Sequence, residues 1–226
     1  MTIVVMKSSM PVLAPCLPTA RPLPSLLSGA TRGPAEGGPK HRALAVAAQQ
    51  PWRLRVDGRS LLIRPAAPRD LEGVAALHRR SSAASLLERY RWGGRAPSVI
   101  AVAQLLRSPL AYVAVEQTGA VVCLAVAHAD PHHGANAAQI GVLVEDRHQG
   151  QGIGRELLAQ VSGAALVAGY DELISYPGES LMTAAAFMAN TGSTRIVSDR
   201  EISHLHTTIP PVAALGIGAV RERLAG

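Results

Sequence analysis

Ile140-Gly141-Val142-Leu143-Val144-Glu145-Asp146-Arg147-His148-Gln149-Gly150-Gln151-Gly152-Ile153-Gly154-Arg155-Glu156-Leu157-Leu158 carries the strongest structural signal in the chain. A short apolar run ends at Val144, a glycine-rich loop follows, and from Ile153 the period changes. Ile153, Leu157, Leu158, Val161 and Ala165 fall on one face of a helix. The pattern predicts a buried strand, a loop and an amphipathic helix. Gly150, Gly152 and Gly154 let backbone amides approach an anion without side-chain obstruction. The helix N-terminus adds unpaired N–H groups and a partial positive charge. Together they predict a pyrophosphate cradle. The spacing is GxGxG, which is neither the GxGxxG of dinucleotide folds nor the Gly-Lys-Ser/Thr ending of a P-loop. Taken alone, the glycines also fit a turn that merely caps a helix.

Outward from this stretch, the order of elements is strand, two helices, three strands, helix, strand, helix, two strands. Leu61–Arg64 reads as the first strand. Helical spacing runs through Leu71, Val74, Ala75, Leu77 and His78 and breaks at Ser81-Ser82. An arginine-rich segment precedes a second helix over Val99–Arg107. Ala111–Glu116 and Ala120–Ala127 are joined by Thr118-Gly119, which predicts an antiparallel hairpin. Gln139–Val144 is the next strand, Gly169 closes the following helix, and Leu173–Tyr176 is a strand. Leu181–Ala189 is helical, and Thr194–Ser198 with Ser203–Ile209 reads as a closing hairpin.

Composition narrows the functional classes. The chain has 226 residues, 48% of them hydrophobic and only 3% aromatic. That suffices for one aliphatic core, and it argues against modules that stack nucleic-acid bases on aromatic platforms. No apolar stretch has the length of a membrane span. Cys16 and Cys123 give neither a disulfide framework nor a cysteine zinc site. Of the net charge of +6, residues 1–50 hold +4, from Lys7, Arg21, Arg32, Lys40 and Arg42 against Glu36. The same segment holds seven of the sixteen prolines and shows no hydrophobic period. It is expected to be a disordered basic tail, with 51–210 as the folded domain and 211–226 as an extension that could be helical. The expected location is the cytoplasm, or an organelle if the basic leader is a transit peptide.

Gln149-Gly150-Gln151-Gly152-Ile153-Gly154, with Val142-Leu143-Val144 before it and Leu157-Leu158 after it, resembles the signature of the GNAT superfamily of acyl-CoA-dependent N-acetyltransferases. The element order agrees with that family over about Leu61 to Ile209. Ser82–Tyr90 is similar to a segment of the bacterial protein-lysine acetyltransferase branch. The resemblance implies an α/β fold: a mixed, mostly antiparallel sheet of about seven strands with helices on both faces. It implies acetyl-CoA as co-substrate and an amine acceptor, either a small molecule or a protein lysine or N-terminus; on the residues themselves, no metal is expected. Pantetheine would lie along Val142, Leu143 and Val144. The pyrophosphate would be held by Gln149, Gly150, Gln151, Gly152, Ile153, Gly154 and Arg155. A backbone N–H near Val142 would polarise the thioester carbonyl.

The same resemblance expects a glutamate base ten residues before the loop glutamine, and Gln139 stands there. An amide cannot take up the proton. The expected tyrosine acid falls at Met188. Candidates for the missing proton transfers are Glu145, which ranks first because it follows the strand directly, and His128, Tyr176 and Glu179. A noncatalytic acyl-CoA-binding domain is the alternative function. Two further groups are expected to be ordinary polar surface. One is His128, Asp130, His132 and His133 with His204 and His206, a metal-like set that reads as a hairpin loop and a solvated strand face. The other is the arginines at 79, 80, 89, 91 and 95.

Overall fold

The computed structural model describes residues 50–91, 94–130, 132–178, 180–198 and 203–210. The expected tail, apart from Gln50, and the 211–226 extension lie outside the described residues, as does Glu179. The elements in chain order are β1 (Trp52–Val56), β2 (Arg59–Pro65), α1 (Leu71–Arg80), α2 (Ala83–Tyr90), α3 (Val99–Leu105), β3 (Leu110–Val115), β4 (Val121–Ala129), β5 (Ala137–Val144), α4 (Ile153–Val167), β6 (Glu172–Ser175), α5 (Leu181–Met188), β7 (Ser193–Ser198) and β8 (Ser203–Thr208).

The eight strands form one sheet in the order β1-β2-β3-β4-β5-β6-β8-β7. Every neighbouring pair is antiparallel except β5–β6. Two apolar clusters cover its two faces. One joins Tyr112, Ile140, Leu157, Leu158, Val161, Leu173 and Leu205 under α4. The other joins Val74, Leu77, Leu86, Val102, Leu124 and Leu143 under α1, α2 and α3. The central strands β3 and β4 are buried on both faces, so they read as continuous apolar runs rather than as alternations.

Two elements correct the sequence reading. β1 pairs with β2 through a turn in which Asp57 and Gly58 both have positive φ, which makes eight strands rather than about seven. The Asp-Gly pair between alternating runs is a hairpin signal of known mechanism. The Ser81-Ser82 break does end α1, and Ser82 also starts α2 as its N-cap, accepting from the Ser85 N–H at 3.2 Å. The arginine-rich segment therefore begins inside a helix. Near β2, Arg64 donates two hydrogen bonds to Asp70, at 2.7 and 2.6 Å, and Asp70 also accepts from the Ala67 N–H. This half-buried bidentate pair fixes where α1 leaves the sheet.

Candidate functional site

The parallel partners β5 and β6 pair only at Ala137–Glu172, Ala138–Leu173 and Gln139–Ile174. Beyond Gln139 they part, while β5 stays paired to β4 as far as Val144. Ile140 to Val144 thus present one unpaired backbone flank inside the sheet. A cleft of about 800 Å³ occupies the opening. Its walls include β5 from Gln139 to Val144, the loop residues Gln149, Gly150 and Gly152, the start of α4 at Ile153, Gly154 and Arg155, and Tyr176, Phe187 and Met188.

The loop has the conformation that its glycines permit. Gly150 and Gly152 have φ of 73° and 82°, and nothing lies within 4 Å of a Cβ built on either. Gly152 is the N-cap of α4, and no side chain caps that helix. Its first-turn amides have no intrahelical acceptor and open toward the cleft mouth. Gly154 allows close packing, since a Cβ there would stand 3.0 Å from Val144 Cγ2. The loop is pinned from outside. Gln149 Nε2 donates to Ser85 Oγ at 2.9 Å and to the Val144 carbonyl at 3.1 Å. Gln151 Nε2 donates to the Arg147 carbonyl at 3.2 Å, and Gln151 is not among the cleft residues. Asp146 accepts from the Ser82 N–H, Ser82 Oγ and Ser85 Oγ. Desolvation would raise its carboxyl pKa, but these bonds outweigh it and hold it below the usual carboxylate range.

The structure takes Glu145 out of the cleft. Its carboxylate is buried, 4% exposed, and accepts from Arg80 at 3.0 Å and Arg147 at 2.7 Å. Gln139 does line the cleft and faces His128 across β4–β5. Desolvation, then the Arg89 cation, hold the His128 ring below its ordinary pKa, against the hydrogen bond with Gln139. Met188 is buried at the cleft wall and offers no proton. Tyr176 lines the cleft, with its hydroxyl 3.4 Å from His133 Nδ1 and 3.5 Å from Asp130 Oδ2.

Sequence reasoning missed the position of Arg89. Its guanidinium lies over β5 where a Cβ of Gly141 would stand, and its Nε is buried without a hydrogen-bond partner. Arg89 Cζ also sits 4.7 Å from the Tyr90 ring centroid. The Tyr90 hydroxyl donates to His78 Nε2 at 2.6 Å, and His78 Nδ1 donates to the Val74 carbonyl at 2.7 Å. Only the placement of α2 against β5 brings this cation into the cleft, and no local signal in the arginine-rich segment separates Arg89 from its neighbours.

Residues 77–192, about half of the chain, match the Acetyltransferase (GNAT) family. No curated protein matches the chain in sequence. Among solved structures it is similar to the GNAT domain of S. lividans PAT, at 18% identity over 70% of this chain and 97% of that one, TM-score 0.62. It is similar to a GNAT superfamily phosphinothricin acetyltransferase from Sinorhizobium meliloti in complex with acetyl-CoA, at 19% identity over 65% and 87%, TM-score 0.54. It is also similar to a cAMP-binding acyltransferase from Mycobacterium smegmatis, at 21% identity over 80% and 56%, TM-score 0.50. At these identities the likeness concerns the fold.

Proposed function

The chain belongs to the GNAT acetyltransferase family, and on that premise we propose that it moves an acetyl group from acetyl-CoA to an amine by direct attack on the thioester. The observation that carries this reading is the parting of β5 from β6 above an uncapped α4 N-terminus. Pantetheine lies along Val142, Leu143 and Val144 as a further strand would. The amides of Gln149, Gly150, Gly152, Ile153 and Gly154 hold the pyrophosphate, with the exposed Arg155 at the rim and Gln151, outside the cleft, bracing the loop. A β5 backbone N–H near Val142 polarises the carbonyl.

In the reaction the amine nitrogen bonds to the carbonyl carbon, the C–S bond breaks, and CoA leaves as thiolate. One proton must leave the amine and one must reach the thiolate. Gln139 and Met188 can do neither. Arg89 offers a physical substitute for the base. A guanidinium beside an ammonium lowers the ammonium pKa, so the acceptor enters attack as a free amine. Tyr176, a cleft-lining phenol, is our candidate to return a proton to the thiolate.

A second reading, an acyl-CoA-binding domain without transfer, is favoured by the same Gln139 and Met188. A direct acetyl-CoA titration beside a screen of amines and peptides for CoA release separates the two. Binding with release on at least one amine supports transfer. Binding with no release from any amine at pH 7 to 10 supports the second reading, and no binding removes both.

A further inference from the structure

The sequence reading placed His204 and His206 on a solvated strand face. In the fold they are 2% and 8% exposed. They stand at i and i+2 on β8 and so share one face of the sheet. The loop after β4 brings His133 against them. Its ring centroid lies 5.0 Å from each, and theirs are 5.0 Å from one another. One ligand nitrogen from each of the three lies within 4.8 Å of the others. His204 Nε2 and His206 Nε2 face each other at 3.0 Å. A tetrahedral zinc ion with Zn–N bonds of 2.0–2.1 Å spaces its nitrogens about 3.3 Å apart. The pair is already near that spacing, and the widest gap in the trio closes with a movement of roughly 1.5 Å.

Two of the three outer nitrogens lie beside carboxylates, the usual neighbours of metal-binding imidazoles. His133 Nδ1 lies 3.1 Å from Asp130 Oδ2, a buried carboxylate. His206 Nδ1 lies 3.5 Å from both Glu172 Oε2 and Arg195 Nη2, and the same Arg195 nitrogen stands 3.6 Å from the other Glu172 oxygen. At His133 the carboxylate favours the proton on Nδ1 and leaves the Nε2 lone pair for a ligand; at His206 metal binding requires Glu172 rather than Arg195 to hold Nδ1. A histidine satisfied by protein alone looks different: His78 uses both ring nitrogens, on Val74 and Tyr90. His204 instead keeps Nδ1 buried with no partner, while its Nε2 meets another imidazole rather than an oxygen acceptor.

We propose that His133, His204 and His206 form a site for one divalent transition-metal ion of the zinc class, with Asp130 and Glu172 as the groups that orient two of the ligands. Three imidazoles leave a fourth position for water or a ligand oxygen. Tyr176, whose ring lies 5.3 Å from that of His204, also lines the cleft, so the ion sits one side chain behind the cleft wall. The proposal stands on this cluster and does not depend on acetyl transfer.

The test uses the full chain, untagged and stripped with a chelator, titrated with Co²⁺ and then with Zn²⁺. The expected result is one equivalent of Co²⁺ with the intense visible bands of a four-coordinate site, displaced by Zn²⁺. Zn²⁺ should also raise the melting temperature. Glu172→Gln should weaken binding roughly 10-fold or more. His206→Gln should abolish the bands, and His133→Asn serves if that variant fails to fold by circular dichroism. His132→Ala, at an exposed neighbour, should bind as wild type does. Weak six-coordinate bands in the wild type, or equal loss in His132→Ala, would overturn the site.

Discussion

Gly152→Glu puts the cradle to its sharpest test. Gly152 holds φ +82°, and a Cβ there meets nothing within 4 Å. The substitution therefore creates no clash, and its cost to folding is the left-handed backbone, about 1–2 kcal/mol for an L-residue. A carboxylate at the start of α4 returns about 0.3–1 kcal/mol through the helix dipole. The net loss of about 1 kcal/mol lowers the melting temperature by roughly 2–4 °C. Binding fares worse. A carboxylate about 4 Å from a phosphate charge costs about 1 kcal/mol even at the dielectric of water. Two pyrophosphate charges then cost at least about 2 kcal/mol, roughly a 30-fold rise in Kd for acetyl-CoA. Isothermal calorimetry reads this directly, with Gly152→Asn as control. Asparagine tolerates the same backbone and adds no charge, so its Kd should rise less than about 5-fold. The reasoning fails if Gly152→Glu binds as wild type does, or if Gly152→Asn loses as much.

Other substitutions probe separate parts of the structure. Without a protein base, the log rate of transfer should climb with pH at a slope near one until the acceptor amine titrates. Gln139→Glu should flatten that slope and raise the rate at pH 7 by roughly 10-fold or more, measured by CoA release. Arg89→Met should move the inflection to higher pH, because the cation that favours free amine is gone; an unmoved inflection removes Arg89 from that role. Glu145→Gln leaves Arg80 and Arg147 facing an amide and should cost about 2–4 kcal/mol in denaturant unfolding, with kcat unchanged at temperatures where the variant is folded. His78 is held below its ordinary pKa by burial first and then by Arg89, against the Val74 bond. Its lowered folded pKa makes its contribution fully present above the unfolded value near 6.5. That contribution is lost as pH falls through the folded value, at up to about 1.4 kcal/mol per pH unit. Denaturant curves from pH 7.5 to 5 should show this decline, and His78→Gln should flatten it.

The parts of the fold legible in the sequence are those in which the period and the turn chemistry lie within one segment. The strand–loop–helix over 140–158 is of this kind, as are the β3–β4 hairpin and the order of elements after it. β1 was legible in principle, since Leu54 and Val56 alternate with Arg53 and Arg55 before Asp57-Gly58. The start of α2 was hidden because one serine pair both ends a helix and begins the next. In the site, the loop glycines announce themselves through spacing. The burial of Glu145 between Arg80 and Arg147, the intrusion of Arg89 over Gly141, and the meeting of His133 with His204 and His206 depend on segments far apart in the chain. No local period encodes such meetings.

Among the described residues, the three pairs that join β5 to β6 are also the only ladder between a five-stranded half, β1 to β5, and a three-stranded half, β6, β8 and β7. Along the unpaired flank of β5, amides in the middle of a sheet are left to exchange with solvent at rates usual for an edge. A ligand that seats there as an extra strand supplies the missing ladder and binds only the folded chain. By mass action, ligand at 100 times its Kd adds about 2.7 kcal/mol to the folded state. On the proposed reading, the seam makes resistance to proteolysis a function of how much acetyl-CoA surrounds the protein, and amide exchange along Ile140–Val144 would report that supply.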